Sequence, residues 1–201
     1  MYEKQKTMIG LMKEILQEDY LHLTVHRYTL DEDLDAGSVE IHCRLSDQQG
    51  DGFEVSGGGV GVIDAMFDAL KEHMADDYPS LKSIRFSEFS IEGLISSEDG
   101  GKPATEAEAV ATVGILNSEG KEFLFDAKAP SVSRAGIEAT ILAAEYFVNS
   151  ERTYVRLHEI LEHYRSEGRT DLVEKYTDLM SKVVENTSYS EVVERIREQM
   201  E

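Results

Sequence analysis

The sequence predicts an α+β fold: duplicated β-β-β-α units with pseudo-twofold symmetry, an N-terminal helix and a C-terminal helical appendage. Three observations predict it. Two sets of three short stretches alternate apolar with polar residues, and each set leads into a stretch whose apolar residues recur at helical spacing. Sliding the first set by seventy residues brings landmarks together: Gly50 on Gly120, Phe53 on Phe123, Val55 on Phe125, Val62 on Val132, Ala65 on Ala135 and Ala69 on Ala139. From Glu151 onward the pattern is wholly helical. One helix for three strands cannot bury both faces of a sheet, so the two units must pack together, and two chains are expected to associate.

Residues 4–19 place Met8, Leu11, Met12, Ile15 and Leu16 on one helical face. Residues 21–29 alternate Leu21, Leu23 and Val25 against His22, Thr24 and His26, as a strand does, and the acidic run 31–35 reads as a loop. Residues 38–45 put Val39, Ile41, Cys43 and Leu45 on one face of a second strand, and 52–55 form a third. A helix over about 62–74 buries Ile63, Met66, Phe67 and Leu70. In the second unit, 83–91 is a strand with Ile84, Phe86 and the Ser90 side opposed to Arg85, Glu88 and its neighbours. Then come a loop at 96–105, strands at 107–116 and 121–127, and a helix at 133–148.

The tail carries Tyr154, Leu157, Ile160, Leu161 and Tyr164 as one stripe. Gly168 closes that helix, and Thr170 or Asp171 caps the next, which carries Leu172, Val173, Tyr176, Leu179, Met180 and Val183. Ser190 caps a last short helix with Val192, Val193 and Ile196. The organisation is therefore an N-terminal helix (1–19), two half-units (20–78 and 79–150) and a helical tail (151–201).

Composition narrows the function. The 201 residues, 41% hydrophobic and 30% charged, suit a globular protein with a sizeable core. Forty acidic against twenty basic residues give a formal charge of −20. That field repels nucleic acid and anionic membrane, so neither is an expected partner. Cys43 is the single cysteine and lies in a strand with no obvious basic or helix-end activation, which suits a small core residue in a reducing compartment. No signal-peptide core or membrane-length apolar run is present, and a cytoplasmic location is expected.

The stretch EVSGGGVGVIDAMFDAL, residues 54–70, is the most distinctive. Glycine-rich backbone ahead of a helix allows close approaches and leaves the first helical amides pointing outward, a seat for a phosphate or carboxylate. The same run equally suits a tight strand-to-helix turn that binds nothing. A dinucleotide fingerprint would need glycine or alanine where Asp64 or Val62 stands, and a P-loop needs Gly-Lys-Ser/Thr, whereas no lysine precedes Lys71. Nucleotide binding is disfavoured.

Catalytic constellations are equally wanting. The segment HEILEH (158–163) would need histidine at 162, where Glu162 stands, and residues five apart on a helix point about 140° away from each other. His22 and His26 share a strand face with His42 nearby, a weak hint of a metal, and no four-ligand set accompanies it. Ser131 and Ser133 have no paired base. No catalytic residue, metal or cofactor is expected.

With these residues in view, the duplicated β-β-β-α pattern resembles the C-terminal regulatory (allosteric dimerisation) domain of 2-isopropylmalate synthase and its citramalate synthase relatives. Gly59, Val60, Gly61, Val62, Ile63, Asp64 and Ala65 occupy the place of the family's first loop, which reads close to Gly-Asn-Gly-Pro-Val-Asp-Ala. Ser131, Val132, Ser133, Arg134, Ala135, Gly136, Ile137, Glu138, Ala139 and Thr140 occupy the second, with Asn149 at the end of its helix. The resemblance covers roughly residues 20–150. It implies a non-catalytic regulatory domain linked to leucine biosynthesis. The family's metal-dependent TIM barrel and acetyl-CoA site are not expected, because only about twenty residues precede the domain.

The resemblance implies a homodimer that binds leucine or isoleucine. The ligand carboxylate would sit on amides of Gly59, Val60, Gly61 and Ile63, beside Asp64, or of Ser131, Val132 and Ser133. Its aliphatic side chain would lie against Val60, Ile63, Val132 and Ile137. Departures from the family pattern at Val60, Val62, Ser131 and Ala135, with the added tail, leave a second reading open. That reading is a structural or interaction protein, or a regulatory subunit of a separate synthase catalytic chain, that kept the scaffold and lost the ligand.

Overall fold

The computed structural model describes residues 2–95 and 107–184. The loop expected at 96–105 and the short helix expected after Ser190 lie outside them. Helix α1 (Tyr2–Leu16) buries Met8, Met12 and Leu16, as its spacing predicts, and a 3-10 turn (Gln17–Asp19) ends it. Among the described residues, two antiparallel sheets follow. The first contains β1 (Thr24–Asp33), β2 (Ser38–Ser46) and β3 (Gly52–Gly59), and the second β4 (Arg85–Ile95), β5 (Ala107–Leu116) and β6 (Glu122–Ala129), each paired in chain order. Helix α2 (Val62–Met74) leaves β3, and α4 (Val132–Ser166) leaves β6. The single turn α3 (Ser80–Ser83) links the units, and α5 (Thr170–Val184) follows α4.

The duplication is visible bond by bond. At the β2–β3 turn, Asp47 Oδ1 accepts from the amides of Gln49 and Asp51 at 2.9 and 3.1 Å, and Gly50 takes a positive φ of 87°. Seventy residues on, Asn117 Oδ1 accepts from Glu119 and Lys121 at 3.1 and 2.8 Å, and Gly120 has φ 76°. The first strands carry the same irregularity: a bulge at His26 in β1 and one at Ser87 in β4. These two lie sixty-one residues apart, so the seventy-residue slide holds from β2 onward but not for the first strands.

Packing explains where the sequence reading drifted. Strand β1 begins only at Thr24 and runs through Asp31–Asp33, expected as loop, because β2 is long enough to pair it as far as Asp33 with Ser38. An exposed edge tolerates the carboxylates. Strand β3 continues through the glycines, pairing Gly57 with Ile41 and Gly59 with Val39. Helix α2 lies so close that a Cβ on Gly57 would meet Ala69 N and stand 2.5 Å from Ala65 O, and one on Gly59 would stand 2.6 Å from Asp64 Cβ. The run is strand kept bare for a helix, where a loop was expected.

Each helix also reaches the beginning of the other unit's sheet, at or just ahead of its first strand. Phe67 of α2 meets Phe86 of β4 edge-on, centroids 5.0 Å apart, and Glu145 of α4 accepts the Leu23 amide ahead of β1. Helix α4 continues unbroken through residue 150, where a domain boundary was expected. Its middle is polar but buried, because its side chains hold other segments in place. Asn149 pairs with both backbone groups of Leu21, Glu151 accepts from Ser80 N at 3.1 Å, and Arg152 donates to Tyr78 Oη and to Asp19 O. Gly168, with φ 69°, turns the chain into α5, and Tyr164 stacks on Tyr176.

Candidate functional site

The sequence directs attention to the two helix starts, and the fold brings them together. Gly61 enters α2 in an extended conformation with no side chain bonded to the first amides, whereas Ser131 caps α4 by accepting from Arg134 N at 3.2 Å. One turn further, Ile63 and Gly136 adjoin: a Cβ on Gly136 would stand 2.7 Å from Ile63 Cδ1 and 3.9 Å from Phe89 Cζ. A glycine at 136 is what permits this approach.

Of the nominated residues, Ile63 and Ile137 are buried, 8% and 0% exposed, Ile63 against Gly136 of the other unit. They wall the core and offer little open surface. Val60 and Val132 stand out at 82% and 48%, flanking the two starts. Gly59 lies under the first turn of α2 and Asp64 is half-buried in that turn, where its carboxylate is favourably placed at the positive end of the helix. The neighbouring amide of Gly58 is occupied by Asp68, which accepts its proton at 3.2 Å. Ser133 is half-buried and Gly61 opens to solvent at the α2 cap.

Phe89 and Ile91 were not nominated. Both pair with inward-facing residues of β5, Val113 and Ala111, yet remain 47% and 39% exposed. Plain alternation puts Ser90 on the side of Ile84 and Phe86, whereas the bulge at Ser87 shifts the register so that Phe89 and Ile91 fall in line with Phe86 instead.

Other candidates resolve into local contacts. His22 Nδ1 lies 3.1 Å from Glu145 Oε1, His26 Nε2 2.8 Å from Ser46 Oγ, and His42 Nδ1 2.7 Å from Ser56 Oγ, so each ring has its own partner. Among the described residues no group of three or more His, Cys, Asp or Glu side chains is arranged to hold a metal ion. Burial pushes the Cys43 thiol up to about 11, which keeps it protonated and unreactive near neutral pH. Among the described residues no helix is long and apolar enough to cross a membrane. Compared with known families the chain matches no family model, and compared with curated proteins it matches none.

Proposed function

We propose that this chain is a non-catalytic regulatory domain that binds a small branched-chain amino acid at its paired helix starts and dimerises through the same end. The observation that carries the reading is the contact of the α2 and α4 starts through Ile63 and Gly136. Uncapped amides at Val62 and Ile63 would receive the ligand carboxylate, Asp64 its ammonium, and Val60, Val132 and Phe89 its aliphatic side chain. The loop resemblance to the regulatory domain of 2-isopropylmalate synthase suggests leucine or isoleucine and a link to leucine biosynthesis. A ligand seated between two units shifts their packing only as far as it prefers one arrangement.

Calorimetry with leucine and isoleucine tests the reading, alongside Val60→Asp and Val132→Asp, which place a carboxylate at the seat on exposed positions. Binding by the parent chain and its loss in both variants is the expected result. Absence of heat and of any melting shift at millimolar ligand rejects it.

A second reading has its own support. Val60, Val132, Phe89 and Ile91 are exposed apolar side chains whether or not a ligand enters, and Ile63 already fills the space beside Gly136. On that reading they mark an interaction surface, for a second copy or for a separate synthase catalytic chain. Sedimentation of Phe89→Asp and Val132→Asp without ligand, and co-elution with a purified barrel-type synthase chain, separate it from the first.

A further inference from the structure

The outward face of the first sheet carries a feature that neither reading uses. Antiparallel pairing sets Arg27 of β1 directly opposite Arg44 of β2, and the bulge at His26 is what brings Arg27 rather than His26 into that row. The next row along contains Thr29, His42 and Ser56, with His42 Nδ1 and Ser56 Oγ 2.7 Å apart. These side chains, with Glu54, line one shallow groove of about 260 Å³.

Like charges directly opposite on a sheet repel, with side chains starting about 5 Å apart, and cost stability. Forty carboxylates are available in this chain, yet among the described residues neither guanidinium has one within ion-pair distance. Glu54, the cross-strand neighbour of Arg44, does not close on it. The duplicated unit supplies an internal control. The corresponding positions on the second sheet hold Glu88 for Arg27, Gly114 for Arg44, Thr112 for His42 and Asp126 for Ser56. There Thr112 Oγ1 bonds to Asp126 at 2.7 Å and no basic pair exists. The fold therefore does not need two arginines at this place.

We infer that the groove is a binding site for a phosphate group carried on a small molecule. Two guanidiniums present planar donor forks suited to a tetrahedral oxyanion, and with the Glu54 carboxylate in the same groove they still leave a net positive charge for a phosphate to meet. The Thr29 hydroxyl supplies a further donor, and the bonded His42–Ser56 pair supplies one more, from the His42 ring N–H or the Ser56 hydroxyl according to the tautomer. The groove's size suits a single phosphate group with a short organic part, and the chain's negative field turns away a polynucleotide.

Amide chemical shifts of the full chain, titrated with inorganic phosphate at neutral pH against sodium chloride of equal ionic strength, test the inference. Saturable shifts confined to residues around Arg27, His42, Arg44 and Ser56 are expected, with affinity lowered at least tenfold in Arg44→Gln and Arg27→Gln. Lys128→Gln, on the second sheet, should leave it unchanged. Without phosphate, Arg44→Gln should melt no lower than the parent, because a repulsion has been removed, and phosphate should raise the melting temperature of the parent and of Lys128→Gln by more than that of Arg44→Gln. Non-saturable shifts, equal shifts with chloride, or unchanged affinity in the folded Arg44→Gln chain would each overturn the site. Acetate binding as tightly as phosphate would overturn the phosphate assignment.

Discussion

Asn149 and Leu21 stand 128 residues apart and bond in both directions: Asn149 Oδ1 accepts the Leu21 amide at 2.7 Å, and Nδ2 donates to the Leu21 carbonyl at 2.8 Å. Both residues are buried, so the side chain acts as a piece of strand for a segment that has no strand neighbour. Asn149→Ala leaves two buried backbone groups unpaired and is expected to cost about 3 kcal/mol in urea unfolding. Asn149→Asp keeps the acceptor, loses the donor and buries a charge, so it should be no milder. A loss under about 0.5 kcal/mol for the alanine variant, the range of ordinary surface changes, would contradict the role.

Glu145 gives stability a pH dependence. Burial raises its carboxyl above the ordinary value, while the Leu23 amide and His22 pull the other way. A carboxyl that holds its proton more tightly folded than unfolded contributes fully below the ordinary carboxyl range. That contribution is lost as pH rises from the ordinary to the raised value. Glu145→Gln keeps an acceptor for Leu23 and cannot titrate. Unfolding curves across about pH 4 to 8 should show the variant gaining on the parent as pH rises. A difference that stays flat with pH would show that the group does not titrate in this way.

The two units, their strand order and both helix starts were legible because alternation and helical spacing report which face is buried. The glycine run was misread as a loop because glycine signals both a turn and a close approach. The slide by seventy held the correction, since Gly57 and Gly59 fall on Ala127 and Ala129, small residues of β6. The helix end expected at 148, where one helix in fact runs to Ser166, misled for a different reason. Asn149, Ser150, Glu151, Arg152 and Thr153 look like a solvated junction, but the asparagine, glutamate and arginine bond Leu21, Ser80 and Tyr78, partners at least seventy residues distant that no local pattern could announce. Exposure of Phe89 and Ile91 depends on how far α4 and α2 cover β4, which is a property of the assembled layers.

Helix α4 makes the tail part of the fold. A chain ending at residue 150 loses the Glu151 bond to Ser80, the Arg152 bonds to Tyr78 and Asp19, and the buried Tyr154 and Leu157. Truncating two such core side chains costs several kcal/mol each, about the whole stability of an ordinary domain. That chain should fail to show a cooperative melt, whereas one ending at 168 keeps α4 and should melt cooperatively. Equal cooperative melts for the two would restore the tail to a detachable appendage.

Gly57 and its neighbour Gly58 separate close packing from mere turn chemistry. Both are extended residues of β3, with no positive φ, so alanine is conformationally allowed at each. At Gly58 a methyl group would find only Val39 O, 3.9 Å away, and should change stability by less than about 1 kcal/mol. At Gly57 it would stand 2.8 Å from Ala69 Cα and run into the backbone of α2, which can yield only by lifting off the sheet. Overpacking of that kind costs about 1–3 kcal/mol or more, so Gly57→Ala should unfold at clearly lower denaturant than Gly58→Ala. Lifting α2 also moves Ile63 away from Gly136, so the same variant should weaken whatever binds at the helix starts, while Gly58→Ala leaves it intact. If both alanines proved equally mild, α2 would not rest on bare strand, and the glycine run would revert to a flexible turn.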